Sequence, residues 1–123
     1  MFDHVKFGVR DYARSKAFYL QALAPLGITG ASEASNGIEI VGEGDSSLCL
    51  HQTDEKPAQL HLAFIARSRE QVDAFHAAAL KAGGTDNGAP GYRPRYHAGY
   101  YAAFVLDPDG HNIEAVFHDR EAS

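Results

Sequence analysis

Asp3-His4-Val5-Lys6-Phe7 and Leu60-His61-Leu62-Ala63-Phe64 are two versions of one phrase. The histidines at positions 4 and 61 stand 57 apart, and at that offset Phe18 meets Phe75, Ala22 meets Ala79, Leu23 meets Leu80 and Gly27 meets Gly84. An offset held through a strand and a helix signals two copies of one structural unit. Each copy starts with a histidine at the same place on its first strand. Two such units packed together can bring both histidines to one point.

Working outward, His4 to Val9 reads as a strand, with Val5, Phe7 and Val9 on one face and His4, Lys6 and Gly8 on the other. Asp11 is a helix N-cap, and Tyr12, Tyr19, Ala22, Leu23 and Leu26 form an apolar stripe that Gly27 ends. Ile38 to Val41 and Leu48 to Gln52 read as short strands joined by Gly42-Glu43-Gly44-Asp45. Thr53 to Ala58 is polar, contains Pro57, and reads as the linker between copies. Leu60 to Ile65 is the matching first strand of the second copy, and Ser68 with Gln71 predicts a capping box for the second helix, which ends at Gly83-Gly84. Tyr100 to Leu106 reads as a strand, Asp107-Pro108-Asp109-Gly110 as a turn, and Asn112 to Phe117 as the closing strand. The order in each copy, β-α-β-β(-β), predicts an α+β fold with a mixed sheet and a helix on one face.

Leu48 of the first copy matches Ile113 of the second, 65 positions on, so the second copy carries about eight extra residues. They fall in Asn87 to Gly99, which holds Gly88, Pro90, Gly91 and Pro94 and has no counterpart in the first half. Irregular length in one repeat of two often carries function. This stretch and its exit concentrate Arg93, Arg95, Tyr96, His97 and Tyr100.

At 123 residues the chain is one domain's worth, and neither half alone is long enough to bury a comfortable core. A single domain over residues 1–123 is expected, with one module over about 1–56 and the other over about 57–123. The hydrophobic share of 45% supports a packed core. A net charge of −5 argues against nucleic acid and anionic membrane surfaces as partners. One cysteine precludes an intrachain disulfide and fits a reducing compartment. Met1-Phe2-Asp3-His4 has no signal-peptide character, and no apolar run approaches the length of a membrane span. A cytoplasmic protein acting on a small molecule is the expectation.

The face opposite the helices is where chemistry can gather. It carries His4 and His61 on the first strands, and Asn112, Glu114, Val116 and His118 on the closing strand, while Ile113, Ala115 and Phe117 take the helix side. Glu114 is thus an acid within a hydrophobic strand, on the same side as the two histidines. A buried carboxylate is costly unless paired or bound to a metal. Two imidazoles and one carboxylate with open positions form a divalent-metal set, suited to zinc, manganese, nickel or iron. Single strand histidines are more often hydrogen-bonded core residues, so the proposal rests on the three together. His51 and His118 read as surface residues at strand ends, His76 as an exposed helix position and His111 as part of a turn. Cys49 reads as a small core residue. No phosphate loop or Ser-His-Asp signature is present.

These residues together resemble the vicinal oxygen chelate superfamily, which includes glyoxalase I, bleomycin-resistance proteins, fosfomycin-resistance enzymes and extradiol dioxygenases. The resemblance is carried by His4-Val5, by Arg14-Ser15 and Phe18-Tyr19 in the first helix, by His61, and by Asp107-Pro108-Asp109-Gly110-His111-Asn112-Ile113-Glu114. It implies two paired βαβββ modules forming a curved mixed sheet around a cavity, with helices on the outer face. By position it makes His4, His61 and Glu114 the metal ligands. It also implies a homodimer, in some members with the site shared between chains. The fourth ligand of glyoxalase I-like members, a glutamate, falls on Cys49, so a three-ligand set resembles instead the fosfomycin-resistance and extradiol branches.

With a metal so held, the residues describe a lyase, isomerase or transferase acting on a small oxygenated substrate. Arg93, Arg95 and Lys6 are candidates for binding substrate, the arginines by forked hydrogen bonds to a carboxylate or phosphonate. His97, Tyr100 and Tyr101 are candidate proton donors or acceptors, with only one of the adjacent tyrosines able to face the cavity. An extradiol-type dioxygenase is one alternative. A metal-free, ligand-sequestering protein of the bleomycin-resistance kind is the other, and arginines in the inserted stretch count against it.

Overall fold

The computed structural model describes residues 1–56 and 58–121. Pro57, in the expected linker, and residues 122–123, at the end of the expected second module, lie outside them. The first half contains β1 (His4–Val9), α1 (Tyr12–Leu23), a 3-10 turn (Ala24–Leu26), β2 (Gly30–Ala34), β3 (Gly37–Val41) and β4 (Ser47–Gln52). The second contains β5 (His61–Ile65), α2 (Arg69–Lys81), β6 (Thr85–Tyr92), β7 (Tyr100–Leu106) and β8 (Asn112–His118).

Each half builds a four-stranded mixed sheet, in the orders β1-β4-β3-β2 and β5-β8-β7-β6. The first strand of each runs parallel to the last, and the other pairings are antiparallel. This is the paired βαβββ architecture. One hydrophobic core joins the halves: Val9, Ile38, Ile40, Leu48 and Leu50 from the first sheet meet Ala103, Val105, Ile113 and Ala115 from the second. Phe18, Tyr19 and Leu23 of α1 and Val72, Phe75 and Ala79 of α2 fill the space between, and the helices touch. The apolar alternation of each strand therefore decides which sheet face meets the helices.

The helix starts follow local chemistry. Asp11 accepts from the Arg14 amide at 3.2 Å, and Ser68 accepts from the Gln71 amide at 3.1 Å. The capping box is displaced by one residue, since Gln71 Oε1 accepts from the Arg67 amide at 2.8 Å. The Asp107 turn is more than a reversal. Asp107 is 4% exposed, and its carboxylate accepts from the amides of Asp109 and His111 at 2.9 Å each and from the Tyr19 hydroxyl of the other half.

Two strands have no clear signature in the sequence. β2 is exposed along its whole length, so it shows no apolar alternation. β6 occupies much of the stretch read as irregular; it is an edge strand with register shifts around Gly88 and Gly91. Edge position and bulges accommodate its glycines and Pro90. The excess length of the second half falls in β6 and in the 93–99 connection, where Ser35 and Asn36 suffice between β2 and β3.

Candidate metal centre

Register places Glu114 opposite Ala63 on β5 and Phe104 on β7. Its face carries His61, Ala63 and Ile65, then Glu114, Val116 and His118, then Tyr100, Ala102 and Phe104. Ala102, Phe104 and Val116 form a second small apolar cluster there, with Tyr100 against it. Glu114 is only 2% exposed among these neighbours. Its Oε1 lies 2.9 Å from His61 Nε2, and its Oε2 accepts the Tyr100 hydroxyl. The His61 side chain is 53% exposed, so the pair opens to the outer surface of the sheet.

The phenol of Tyr100 is held well above its ordinary pKa by burial, then by the hydrogen bond to Glu114 and by that carboxylate's charge. Tyr100 therefore keeps its proton at neutral pH. The neighbouring Tyr101 points to the other face, where its hydroxyl donates to Asp73 of α2 at 2.6 Å. That bond, burial and the Asp73 charge push its pKa up to about 12. The two tyrosines thus take opposite sides, and Tyr100 is the one beside Glu114.

His4 is on the corresponding outer face of the first sheet, 58% exposed, with Nδ1 2.7 Å from Asp3. Lys6 shares that face opposite Cys49, and Ser47 and Glu39 are joined beside it by a 3.0 Å hydrogen bond. Lys6, Tyr12, Gly37, His51 and Gln52 line a hollow of about 300 Å³ on this half, away from Glu114. Among the described residues no three His, Cys, Asp or Glu side chains converge as a metal-binding group. Within one chain, then, His61 and Glu114 come together and His4 does not join them.

The 93–99 connection gives its residues different tasks. Arg93 spends its guanidinium on the carbonyls of Ala89 and Gly91, at 2.7 and 2.8 Å, over the Phe104 ring. Arg95 stays exposed over the Tyr96 ring. His97 reaches His118, with Nε2 and Nδ1 3.1 Å apart, and both rings meet the edge or face of Tyr100. The place of His118 beside this site was signalled by its alternation with Glu114 and Val116, but its partner is too distant in sequence to be inferred.

The donor chemistry of the His61–Glu114 pair fits a divalent cation. Among the described residues, the partners of this buried carboxylate are an imidazole and a phenol, with no lysine or arginine to neutralise it. The sequence profile of the Glyoxalase/Bleomycin resistance protein/Dioxygenase superfamily matches residues 1–115. The chain belongs to that superfamily. A glyoxalase/bleomycin resistance protein from Albidiferax ferrireducens T118 is 35% identical, with a TM-score of 0.83 over 95% of this chain and 98% of that one. A family enzyme from Burkholderia phytofirmans PsJN, at 22% identity, shares the fold with a TM-score of 0.74 over 94% and 97% of the two chains. The oxidase ChaP-H2, at 21%, does so with a TM-score of 0.72 over 99% and 96%. No curated protein matches. Members of this superfamily commonly bind divalent metals. Among the described residues, no helix is long and apolar enough to cross a membrane.

Proposed function

We propose that this chain is a divalent-metal-dependent enzyme of the glyoxalase superfamily, a lyase, isomerase or transferase acting on a small oxygenated substrate. The observation that carries the reading is the buried Glu114 carboxylate meeting the solvent-facing His61 imidazole. His61 Nε2 and Glu114 Oε1 are the two ligands one chain supplies. His4 is the third, contributed by a second copy of the chain whose first sheet covers the open face of the second sheet. Ile65, 75% exposed on that face beside the pair, supports burial there in a homodimer.

The ion, when bound, supplies Lewis-acid polarisation of a substrate oxygen. The protein's own residues do the rest. Tyr100 holds Glu114 in place through its hydroxyl and stays protonated, so it can also donate to a substrate oxygen. Phe104, Ala102 and Val116 give an apolar wall that excludes water. Lys6 and Arg95, both exposed, are the cations free to meet an anionic substrate group, whereas Arg93 is committed to the backbone. The lone thiol at Cys49 suits a cytoplasmic setting.

Metal analysis of untagged protein tests this. The wild type should hold one ion per chain that His61→Ala, altering an exposed side chain, does not. Iron at that site would favour the dioxygenase branch, and zinc, nickel or manganese the other chemistries. Equal metal in the two proteins, or none in either after reconstitution with each ion, would overturn the reading and favour a ligand-sequestering protein.

A further inference from the structure

His97 and His118 meet by construction rather than by chance of two mobile side chains. The connection carrying His97 is pinned at both ends: the Arg93 amide donates to the Tyr100 carbonyl at 2.7 Å, and the Asp119 amide to the Gly99 carbonyl at 2.7 Å. Inside it, the Tyr96 amide donates to Arg93 and the Tyr100 amide to His97. Gly99 has φ +84, and a Cβ there would overlap the Asp119 carbonyl. The chain end beyond β8 and the connection are thus pressed together. The rings of His97 and His118 lie nearly parallel, 16° between planes and centroids 5.1 Å apart, and meet edge to edge through nitrogens 3.1 Å apart. Tyr100 stands edge-on to both, its centroid 5.2 and 5.5 Å from theirs.

The proton positions follow from the acceptor. Nδ1 of His97 lies 2.8 Å from the Ala98 carbonyl, which can only accept, so Nδ1 carries the hydrogen. In the neutral ring this leaves a lone pair on Nε2, 3.1 Å from His118 Nδ1. An imidazole whose second nitrogen donates to a backbone carbonyl is the form that ligates metals. The spacing fits as well. With bonds of about 2.0–2.1 Å, two nitrogens on one ion are about 2.9 Å apart at a right angle and about 3.4 Å apart at the tetrahedral angle.

We propose that His97 and His118 form a second ligand pair, for a divalent transition-metal ion of the zinc, nickel or copper kind, separate from His61 and Glu114. Imidazole nitrogens suit these ions. Water or a substrate oxygen completes the coordination, since among the described residues no third His, Cys, Asp or Glu converges there. Glu114 and His118 are four residues apart on one strand, about 13 Å along the backbone, with Tyr100 between them.

Zinc binding to untagged protein, by equilibrium dialysis and calorimetry, tests the pair independently of the first site. The His61→Ala protein should retain one zinc per chain, and adding His97→Gln or His118→Gln should remove it. The same two changes in the wild type should each remove one zinc, and the double change no more than either single. His76→Gln, on the far side of the second sheet, should remove none. In spectra of the His61→Ala protein, zinc should shift the ring C–H resonances of His97 and His118 together. Undiminished zinc in the His97→Gln and His118→Gln proteins, an equal loss in His76→Gln, or no zinc beyond the His61-dependent ion would overturn the proposal. In any of those cases the two rings share a hydrogen bond and nothing more.

Discussion

His61 Nε2 lies 2.9 Å from Oε1 of Glu114, across two adjacent parallel strands and 53 positions of sequence. The imidazole is half in solvent and the carboxylate is buried, so the pair is asymmetric. A buried carboxylate held by an imidazole and a phenol carries a desolvation penalty that a bound cation relieves.

Glu114→Gln separates metal binding from folding. The amide oxygen still accepts from Tyr100 and the amide group can donate to His61. In metal-free buffer, urea unfolding should stay within about 1 kcal/mol of wild type, because the amide keeps a partner for both His61 and Tyr100 and the desolvation cost of a buried charge is gone. With His97→Gln in both proteins, so that only this site is counted, adding metal should raise the midpoint of the protein that keeps Glu114 and leave that of Glu114→Gln unmoved. A large loss of stability in metal-free Glu114→Gln would show that the carboxylate is structural.

Tyr100→Phe takes away one of the two partners of the buried carboxylate. Leaving Oε2 without its donor should cost about 1–3 kcal/mol in denaturant unfolding. Combined with Glu114→Leu, the loss should be smaller than the sum of the single effects, since the unmet acceptor is then gone. Additive losses would mean the hydrogen bond contributes little.

Tyr19 governs the alkaline limit. Burial, then the charge of Asp107 and the hydrogen bond to it, raise its pKa far above the ordinary value of 10.0. The folded-state pKa is the higher one, so this contribution is fully present below about pH 10 and is lost as pH rises beyond it. Urea unfolding at pH 8 and pH 11 should show a steep fall for wild type and a shallower one for Tyr19→Phe. Tyr19→Phe should also be less stable at pH 8 by about 1–3 kcal/mol, because Asp107 loses a donor. Parallel pH profiles would contradict this.

Two glycines with nearly equal φ distinguish strain from collision. Gly99 (φ +84) faces the Asp119 carbonyl, whereas Gly110 (φ +87) faces open space. Gly110→Ala should cost about 1–2 kcal/mol, the penalty of a left-handed backbone alone. Gly99→Ala should cost more and should loosen the 93–99 connection, read as faster amide exchange at Tyr96 and Tyr100. Equal costs would show that the Gly99–Asp119 approach relaxes freely.

The repeat made most of the fold legible, because His4 and His61 begin strands whose apolar residues at every second position face one shared core. Alternation along β8 also put Glu114 on the correct face. What sequence did not show depended on distant partners or on absent patterns. β2 buries nothing, and β6 is broken by glycine and proline, so neither has a periodicity to read. The choice between Tyr100 and Tyr101 required the β7–β8 register, which pairs Tyr100 with His118 and turns Tyr101 toward Asp73. Arg93 looked available for substrate, yet its donors close on carbonyls two and four residues back. Gln71 was read as the reciprocal partner of Ser68 and instead caps Arg67, a slip of one amide.

If His61 and Glu114 of one chain share an ion with His4 of another, two defective chains can complement each other. The experiment mixes two variants, His4→Ala and His61→Ala, each in a His97→Gln background so that only this site is counted. Each variant alone should be metal-free. After joint unfolding and refolding, hybrid dimers contain one intact site, and the mixture should regain metal that neither parent holds. A mixture as metal-free as its parents, beside a wild type that binds, would contradict a site shared between chains.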